Sequence, residues 1–229
     1  MARVRVLSLA VLIFAPTLVP TRAVSAQMDR PAGVHAHMSF TSLRPGTATD
    51  TARALAVVAA LRTAIEPYQT LDDARAAGYR WLRDPATVRP GQLLHAGKRV
   101  RPLAGAQPFD PREPQSLLYH RDTDGSMRLA GAMYVAPRSA TTDDLDAMIP
   151  LSVAHWHRHV DICVPADRSL RRIRLATTPE ACAAAGGRFR EETRYMVHVM
   201  TDAGDDLART FPQGREQMEG MDMGSAHEH

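Results

Sequence analysis

Residues 116–136 read S-L-L-Y-H-R-D-T-D-G-S-M-R-L-A-G-A-M-Y-V-A, which is two apolar runs separated by the polar turn D-T-D-G at 122–125. Two apolar runs joined by a short turn that contains glycine are typical of a β-hairpin. This stretch therefore predicts an antiparallel sheet at the centre of the fold.

Helices are predicted upstream of this hairpin. From an N-cap at Thr49 or Asp50 to Pro67, apolar residues recur every three or four positions, as one face of an amphipathic helix requires: Leu55, Val58, Leu61 and Ile65. A second helix begins at the T-L-D-D capping box, residues 70–73, and ends at Gly78. The two helices predict an N-terminal helical hairpin.

The remaining segments complete the predicted fold. Residues 83–115 are rich in proline and glycine and are expected to be mostly loop. Short helices are expected at 142–148 and 179–185, and further strands from Pro150 onward and at 190–200. We therefore expect an α+β fold in which the N-terminal helical hairpin packs on an antiparallel sheet of about four or five strands.

The first 26 residues have the pattern of a secretory signal peptide. A basic opening, M-A-R-V-R, precedes an apolar run that is shorter than the ~20 residues of a membrane span, and we expect cleavage after Ala26. Residues 27–48 then read as an extended N-terminal arm, 49–211 as a single domain and 212–229 as a disordered tail. The sequence thus predicts a periplasmic or secreted protein with no stable membrane anchor after cleavage.

Composition and motifs argue against several functions. Residues 1–26 hold three arginines and no acidic residue, so the rest of the chain is formally neutral, and its arginines form no dense basic patch. A nucleic-acid partner is therefore not expected. The chain also lacks the motifs H-E-x-x-H, G-x-S-x-G, G-x-x-x-x-G-K and G-x-G-x-x-G, so no reaction class can be assigned.

The two cysteines, Cys163 and Cys182, are expected to form a disulfide bond, because both would enter an oxidising compartment. Closing a loop of this size stabilises a folded chain by about 3 kcal/mol if the effect is one of chain entropy. The alternative is that Cys163 provides a thiolate ligand beside the histidines that precede it.

The segment H-W-H-R-H at 155–159 places three histidines at alternate positions. On a strand, His155, His157 and His159 share one face; neighbours ~6.6–7 Å apart can meet on one metal ion, whereas the outer two are too far apart. Asp161 lies on the same side and is a candidate to orient an imidazole. The segment predicts a metal site made by two of these histidines and a ligand from elsewhere.

The last predicted strand offers that ligand. Met196, His198 and Met200 alternate on one face of Y-M-V-H-V-M, so pairing of the two strands would bring imidazole to imidazole. Imidazole suits zinc, copper and iron, whereas thioether sulfur favours Cu(I). The mixture favours copper, with zinc or iron as alternatives, unless these methionines only fill gaps in a core.

Both ends of the secreted chain repeat this chemistry. The arm contains H-A-H-M, which supplies His35, His37 and Met38. The tail M-E-G-M-D-M-G-S-A-H-E-H resembles the Met- and His-rich segments of exported copper-resistance proteins. This resemblance implies copper capture by the tail side chains Met218, Met221, Met223, His227 and His229.

A second resemblance concerns the domain. The segments H-W-H at 155–157, C-A-A-A-G-G-R-F at 182–189 and M-V-H-V at 196–199 are similar to a pattern in uncharacterised exported bacterial proteins. The resemblance implies that the histidine strand and the last strand belong to one architecture. It implies no reaction.

Three functions follow from these patterns. The first is an exported metal-binding protein, with copper favoured and a metal ion as its partner. The second is a metal-dependent enzyme of unassigned reaction, in which Glu191, Glu192 or Asp161 acts as base. The third is a metal-free domain that binds a component of the cell envelope, its histidines forming a polar face or a pH-sensitive cluster. No particular protein partner is indicated.

Overall fold

The hairpin predicted at residues 116–136 is confirmed by the computed structural model of the chain. It forms β4 (Ser116–Arg121) and β5 (Met127–Val135), which pair antiparallel around a turn where Gly125 has a φ of 88°. Leu118 pairs with Gly131 but Tyr119 pairs with Leu129, so β5 has one extra residue, Ala130, at this point. Such a β-bulge bends the strand and increases its twist.

Helices and antiparallel strands together make up the part of the chain that the structure describes, residues 37–81, 83–98, 109–166, 174–175 (backbone only) and 178–212. The other strands are β1 (Met38–Phe40), β2 (Arg80–Trp81), β3 (Leu93–Gly97), β6 (His157–Pro165), β7 (Arg174–Leu175), β8 (Gly187–Glu192) and β9 (Met196–Met200). Seven of the nine described strands lie in the order β1-β6-β9-β5-β4-β3-β2, and the other two, β7 and β8, pair with the second half of β6. The α+β prediction is confirmed, but the sheet is larger than four or five strands.

Short strands account for this difference in size. β3 lies inside the loop predicted at 83–115, and β1 lies inside the arm predicted at 27–48; each is too short to show a sustained alternation. The strand predicted at 190–200 is instead two strands. It is interrupted at Thr193, whose N–H donates to the carbonyl of His159 at 2.8 Å. The strand predicted from Pro150 starts only at His157, after a turn at 151–153.

Capping boxes fix the starts of the helices. α1 (Ala48–Ile65) begins at Thr47, two residues before the expected cap, because the Thr47 hydroxyl accepts from Asp50 N–H and the Asp50 carboxylate accepts from Thr47 N–H. Thr70 and Asp73 form the predicted box of α2 (Leu71–Ala76). The other helices are α3 (Thr142–Met148), as predicted, α4 (Pro179–Ala184) and α5 (Leu207–Thr210). A hairpin packing of α1 against α2 stays a prediction.

The main apolar core lies on one face of the sheet. α1 contributes Ala54, Val58, Leu61 and Ile65 to it, and the strands contribute alternate residues: Leu94, Ala96, Leu117, Tyr119, Ala132, Tyr134, Val197 and Val199. Trp156, the residue before β6, is fully buried in the same core. The neighbours of these residues along each strand therefore point to the opposite face of the sheet.

The predicted disulfide is present and joins β6 to α4. Cys163 and Cys182 are bonded, with Cα atoms 5.3 Å apart, so the alternative of a Cys163 thiolate ligand is wrong. Gly187 lies against the bond, since a Cβ there would clash with the Cys163 sulfur and lie 3.0 Å from that of Cys182. Phe189 packs against the same two cysteines. In C-A-A-A-G-G-R-F, the second glycine and the phenylalanine thus both lie against the disulfide.

Several predictions lie outside the described residues. These are the signal peptide at 1–26, His35, and the tail side chains Met218, Met221, Met223, His227 and His229. Within the described ranges, no helix is long and apolar enough to cross a membrane.

Candidate metal centre

Four histidines lie close together on the sheet face opposite the main core, and we call this side of the sheet the histidine face. His95 comes from β3, His157 and His159 from β6, and His198 from β9. Each is flanked along its strand by residues that turn away from this face, such as Leu94, Ala96, Val197 and Val199 around His95 and His198. The side chains of His157 and His198 are fully buried, and His159 is 7% exposed.

The four imidazoles form a continuous cluster. The ring centroids of His95 and His198 are 5.3 Å apart, those of His157 and His198 are 5.3 Å apart, and those of His157 and His159 are 5.8 Å apart. The predicted meeting of the histidine strand with the last strand is thus confirmed, since β6 and β9 pair antiparallel with His157 opposite Met196. His198 stands at the centre of the cluster, in contact with rings from two other strands.

The curvature of the sheet helps His95 to reach this cluster, because β4 and β5 lie between β3 and β9. Across these strands the register runs from His95 to Leu118, Gly131 and Met200. Gly131 follows the bulge, and a Cβ at this position would lie 2.9 Å from Met200 Cα and clash with the Val199 carbonyl. Glycine therefore permits the close approach of β5 to β9 beneath the imidazoles.

Burial keeps these histidines neutral at pH 7. Desolvation, reinforced by repulsion from the other histidines, lowers the pKa of His157 to about 3, and desolvation and the nearby Arg83 lower the pKa of His95 to about 4. Desolvation also lowers the pKa of His159 and lowers that of His198 well below its usual value. Neutral imidazole is the form that binds metal ions.

The cluster contains ring nitrogens without hydrogen-bond partners. Among the described residues, neither nitrogen of His157 has a hydrogen-bond partner, nor has Nδ1 of His159 or Nδ1 of His198; all four atoms are buried. Leaving a buried donor or acceptor unpaired costs about 1–3 kcal/mol, so native proteins rarely contain several such atoms together. A bound ion takes one nitrogen from each ring, so it would satisfy part of this set and lower the cost.

One pair of nitrogens already has the spacing of two ligands on one ion. The Nε2 atoms of His95 and His198 are 3.3 Å apart. Two nitrogens bound at ~2.0–2.1 Å to a tetrahedral ion lie roughly 3.3–3.4 Å apart. No group of three or more His, Cys, Asp or Glu donors within the described ranges is arranged to hold an ion. A third imidazole therefore has to rotate about its side-chain bonds to join the pair.

The histidines predicted from H-W-H-R-H separate into two groups. His157 and His159 join the cluster, whereas His155 precedes β6 and donates from Nδ1 to the carbonyl of Thr41 at 2.8 Å. His37 lies near His159, since its charge contributes to the lowered pKa of that residue, and its Nδ1 is buried and unpartnered.

The side chains proposed as acid–base groups do not join the cluster. Glu192 pairs with Arg158, and both it and Glu191 are exposed. Asp161 adopts a φ of 53°, which takes it out of the alternation that would have placed it beside the imidazoles, and none of the hydrogen bonds of the described chain joins it to one. The geometry assigns no catalytic role to these residues.

Two members of the site were not predicted from the sequence. His95 lies in a segment that was expected to be loop. Met133 lies on the histidine face, directly paired with His198 between β5 and β9. The signal for His95 is the alternation in L-L-H-A, whose Leu94 and Ala96 are both core residues. Met133 could have been placed on this face by the alternation with Ala132 and Tyr134.

Comparison with known proteins adds no assignment. No protein-family model matches the chain, and no curated protein and no solved structure matches it. The function is therefore inferred from the chemistry of the histidine cluster.

Proposed function

We propose that this chain is an exported protein that binds a transition-metal ion, with copper favoured, through His95, His157, His159 and His198. The proposal assigns binding to the folded sheet. The termini act as auxiliary ligands, with His35, His37 and Met38 at one end and the Met- and His-rich tail at the other. The partner is the metal ion itself.

The observation that carries this proposal is the set of buried, unpartnered imidazole nitrogens at His157, His159 and His198. A histidine that serves only packing or a hydrogen-bond network has its ring nitrogens paired, as Nδ1 of His155 is paired with Thr41. A pH-sensitive surface cluster requires histidines that titrate near neutral pH, whereas desolvation lowers the pKa of His157 to about 3. Metal ligation accounts for the burial and, with one nitrogen taken from each ring, for part of the missing partners.

Export is supported by the signal-peptide pattern of residues 1–26 and by the Cys163–Cys182 disulfide, which persists in oxidising compartments. In such a compartment, a site made only of imidazole and thioether groups keeps its ligands, because neither group is lost to disulfide formation. We therefore place the protein in the periplasm or outside the cell.

Metal titrations of four proteins test the folded site. These are the chain 27–229, a chain ending at Phe211, and the variants His198→Leu and His120→Leu of the full secreted chain. Phe211 is the last core residue of the described ranges, so the shorter chain retains the whole core. His120 lies on the same face at the turn end of β4, outside the ring contacts that join the four histidines, and serves as the matched control.

The expected result is one tight site that survives removal of the tail, persists in His120→Leu and is lost in His198→Leu. Circular dichroism melting of each variant ensures that the comparison is made between folded proteins. If tight binding disappears with the tail, or if His198→Leu binds metal as the parent does, the assignment to the folded cluster is wrong.

A further inference from the structure

The methionines of the histidine face are arranged as partners of the histidines. In the pairing of β1 with β6, Met38 lies directly opposite His159. Met196 lies opposite His157 in the pairing of β6 with β9, and Met133 lies opposite His198 in the pairing of β5 with β9. Directly opposed residues of antiparallel strands have Cβ atoms roughly 4.5–5.5 Å apart on the same face.

A packing role explains these methionines less well than it explains those on the other face. Met127 and Met148 pack against the main apolar core, where methionine commonly fills gaps. The histidine face has only a small apolar cluster, formed by Leu93, Leu118 and Ala130, and it contacts Met133 and Met200. Met38 and Met196 stand beside imidazoles instead.

We propose that the histidine face selects copper in its monovalent state, with the thioethers of Met133 and Met196 as ligands alongside the imidazoles. This inference rests on the proposed function and adds the oxidation state of the ion. Thioether sulfur and imidazole together form a soft donor set, which binds Cu(I) in preference to Zn(II).

The charge of the site leads to the same ion. The groups that lower the pKa of the four histidines electrostatically are other histidines and, at His95, the cationic Arg83, which also donates to Gln92 Oε1 and to the Leu93 carbonyl. No carboxylate of the described chain acts on the cluster in this way. The energy of burying an uncompensated ion grows with the square of its charge, so a divalent ion costs about four times as much as a monovalent one.

Neutral ligands also leave the total charge of the site equal to that of the ion. Buried charges in proteins are normally paired, and carboxylate or thiolate ligands provide that pairing in divalent sites. A site with neither, buried beneath a sheet, therefore disfavours Cu(II) and Zn(II) relative to Cu(I). Monovalent copper is the transition-metal ion that satisfies both the donor set and the charge.

The test measures affinities of the full secreted chain, 27–229, for Cu(I), Cu(II) and Zn(II). Cu(I) is titrated without oxygen against a chromophoric Cu(I) chelator, and the divalent ions against matching competitors. The variants are Met133→Leu and Met196→Leu, which remove the thioether with little change in volume. Met127→Leu is the matched control, because it lies on β5 like Met133 but faces the main core. All proteins keep the tail, so its contribution is the same throughout.

We expect the parent chain to bind Cu(I) at least about 100-fold more tightly than Zn(II), a difference of roughly 2.7 kcal/mol. Met133→Leu and Met196→Leu each lower the Cu(I) affinity by about tenfold and leave the Zn(II) affinity unchanged, as removal of a soft ligand predicts. Met127→Leu changes neither affinity.

Three other results overturn the inference, and they differ in what they mean for the proposed function. Tight Zn(II) or Cu(II) binding that needs His198 and shows no Cu(I) preference refutes monovalent selectivity, while the folded metal site stands. Equal Cu(I) affinity in Met133→Leu, Met196→Leu and Met127→Leu also refutes the thioether ligands. Absence of any binding that depends on His198 refutes both the inference and the proposed function.

Discussion

Replacing His157 by leucine should stabilise the metal-free protein, although most substitutions of fully buried residues destabilise. The His157 side chain is 0% exposed, and neither Nδ1 nor Nε2 has a hydrogen-bond partner. In the neutral ring, one nitrogen is an unpaired donor and the other is an unpaired acceptor. His157→Leu removes both groups and keeps an apolar side chain of similar size in the same space.

The size of the effect follows from the cost of the unpaired nitrogens. Each costs about 1–3 kcal/mol, so their removal stabilises the folded state by roughly 2–6 kcal/mol. Imperfect packing of leucine against Phe40 and His198 offsets part of this gain. We expect a net increase of about 1–3 kcal/mol in the free energy of unfolding. For a chain of this length, that corresponds to a rise in Tm of roughly 2–10 °C.

Denaturant unfolding of chelator-treated protein, followed by circular dichroism, measures this change. The matched control is His155→Leu, two residues away, which removes the hydrogen bond to the Thr41 carbonyl and should lower the free energy of unfolding by about 0.5–1.5 kcal/mol. The two substitutions are therefore expected to have opposite signs.

Addition of the metal ion should reverse the order of stability. At a free concentration 100 times the Kd, an ion that binds only the folded state adds about 2.7 kcal/mol to the parent protein, and it adds nothing to a variant that has lost the site. If metal-free His157→Leu unfolds cooperatively but is less stable than the parent by more than about 1 kcal/mol, the ring nitrogens of His157 are satisfied in solution and the reasoning is refuted.

Three further changes probe the same framework. The pKa of His95 is lowered to about 4 and that of His157 to about 3, so below the usual value of 6.5 the unfolded chain binds more protons than the folded chain. The free energy of unfolding should therefore fall as pH drops from about 6.5 to 3, by up to ~1.4 kcal/mol per pH unit for each histidine. Urea unfolding of metal-free protein at several pH values measures this, and a flat profile would contradict neutral burial. Gly187→Ala should lower the free energy of unfolding by roughly 1–3 kcal/mol, because its Cβ would clash with the Cys163 sulfur; an equal loss after both cysteines are changed to alanine would show that the sulfur is not the cause. Reduction of the bond between Cys163 and Cys182, 19 residues apart, should cost about 3 kcal/mol in unfolding experiments with and without reductant, and an unchanged midpoint would show that the bond adds no stability.

Local signals explain why much of the secondary structure could be predicted. The capping box at Thr70, the helix at 142–148 and the turn at Gly125 are each encoded within a few residues, and the structure confirms them. The start of α1 at Thr47 was missed by two residues, although Thr47 and Asp50 form a box of the same kind as Thr70 and Asp73.

Long-range pairing explains why the histidine cluster could be predicted only in part. The alternation of His157 and His198 indicated their faces correctly, but the position of His95 depends on β3 pairing with β4 and on the bulge beside Gly131. His155 stays outside the cluster and bonds to Thr41, which is 114 residues away in the chain. No window of neighbouring residues contains such information.

If the protein binds a metal ion as proposed, the histidine face also determines when the ion can be acquired. Its ligands come from β3, β6 and β9, and His95 and His198 are separated by 103 residues. Contacts between such distant residues form late in folding, because the chain must first close the intervening loops. Under the proposed function, a chain that crosses a membrane unfolded would carry no metal in this site, and the ion would be taken up in the compartment where folding is completed.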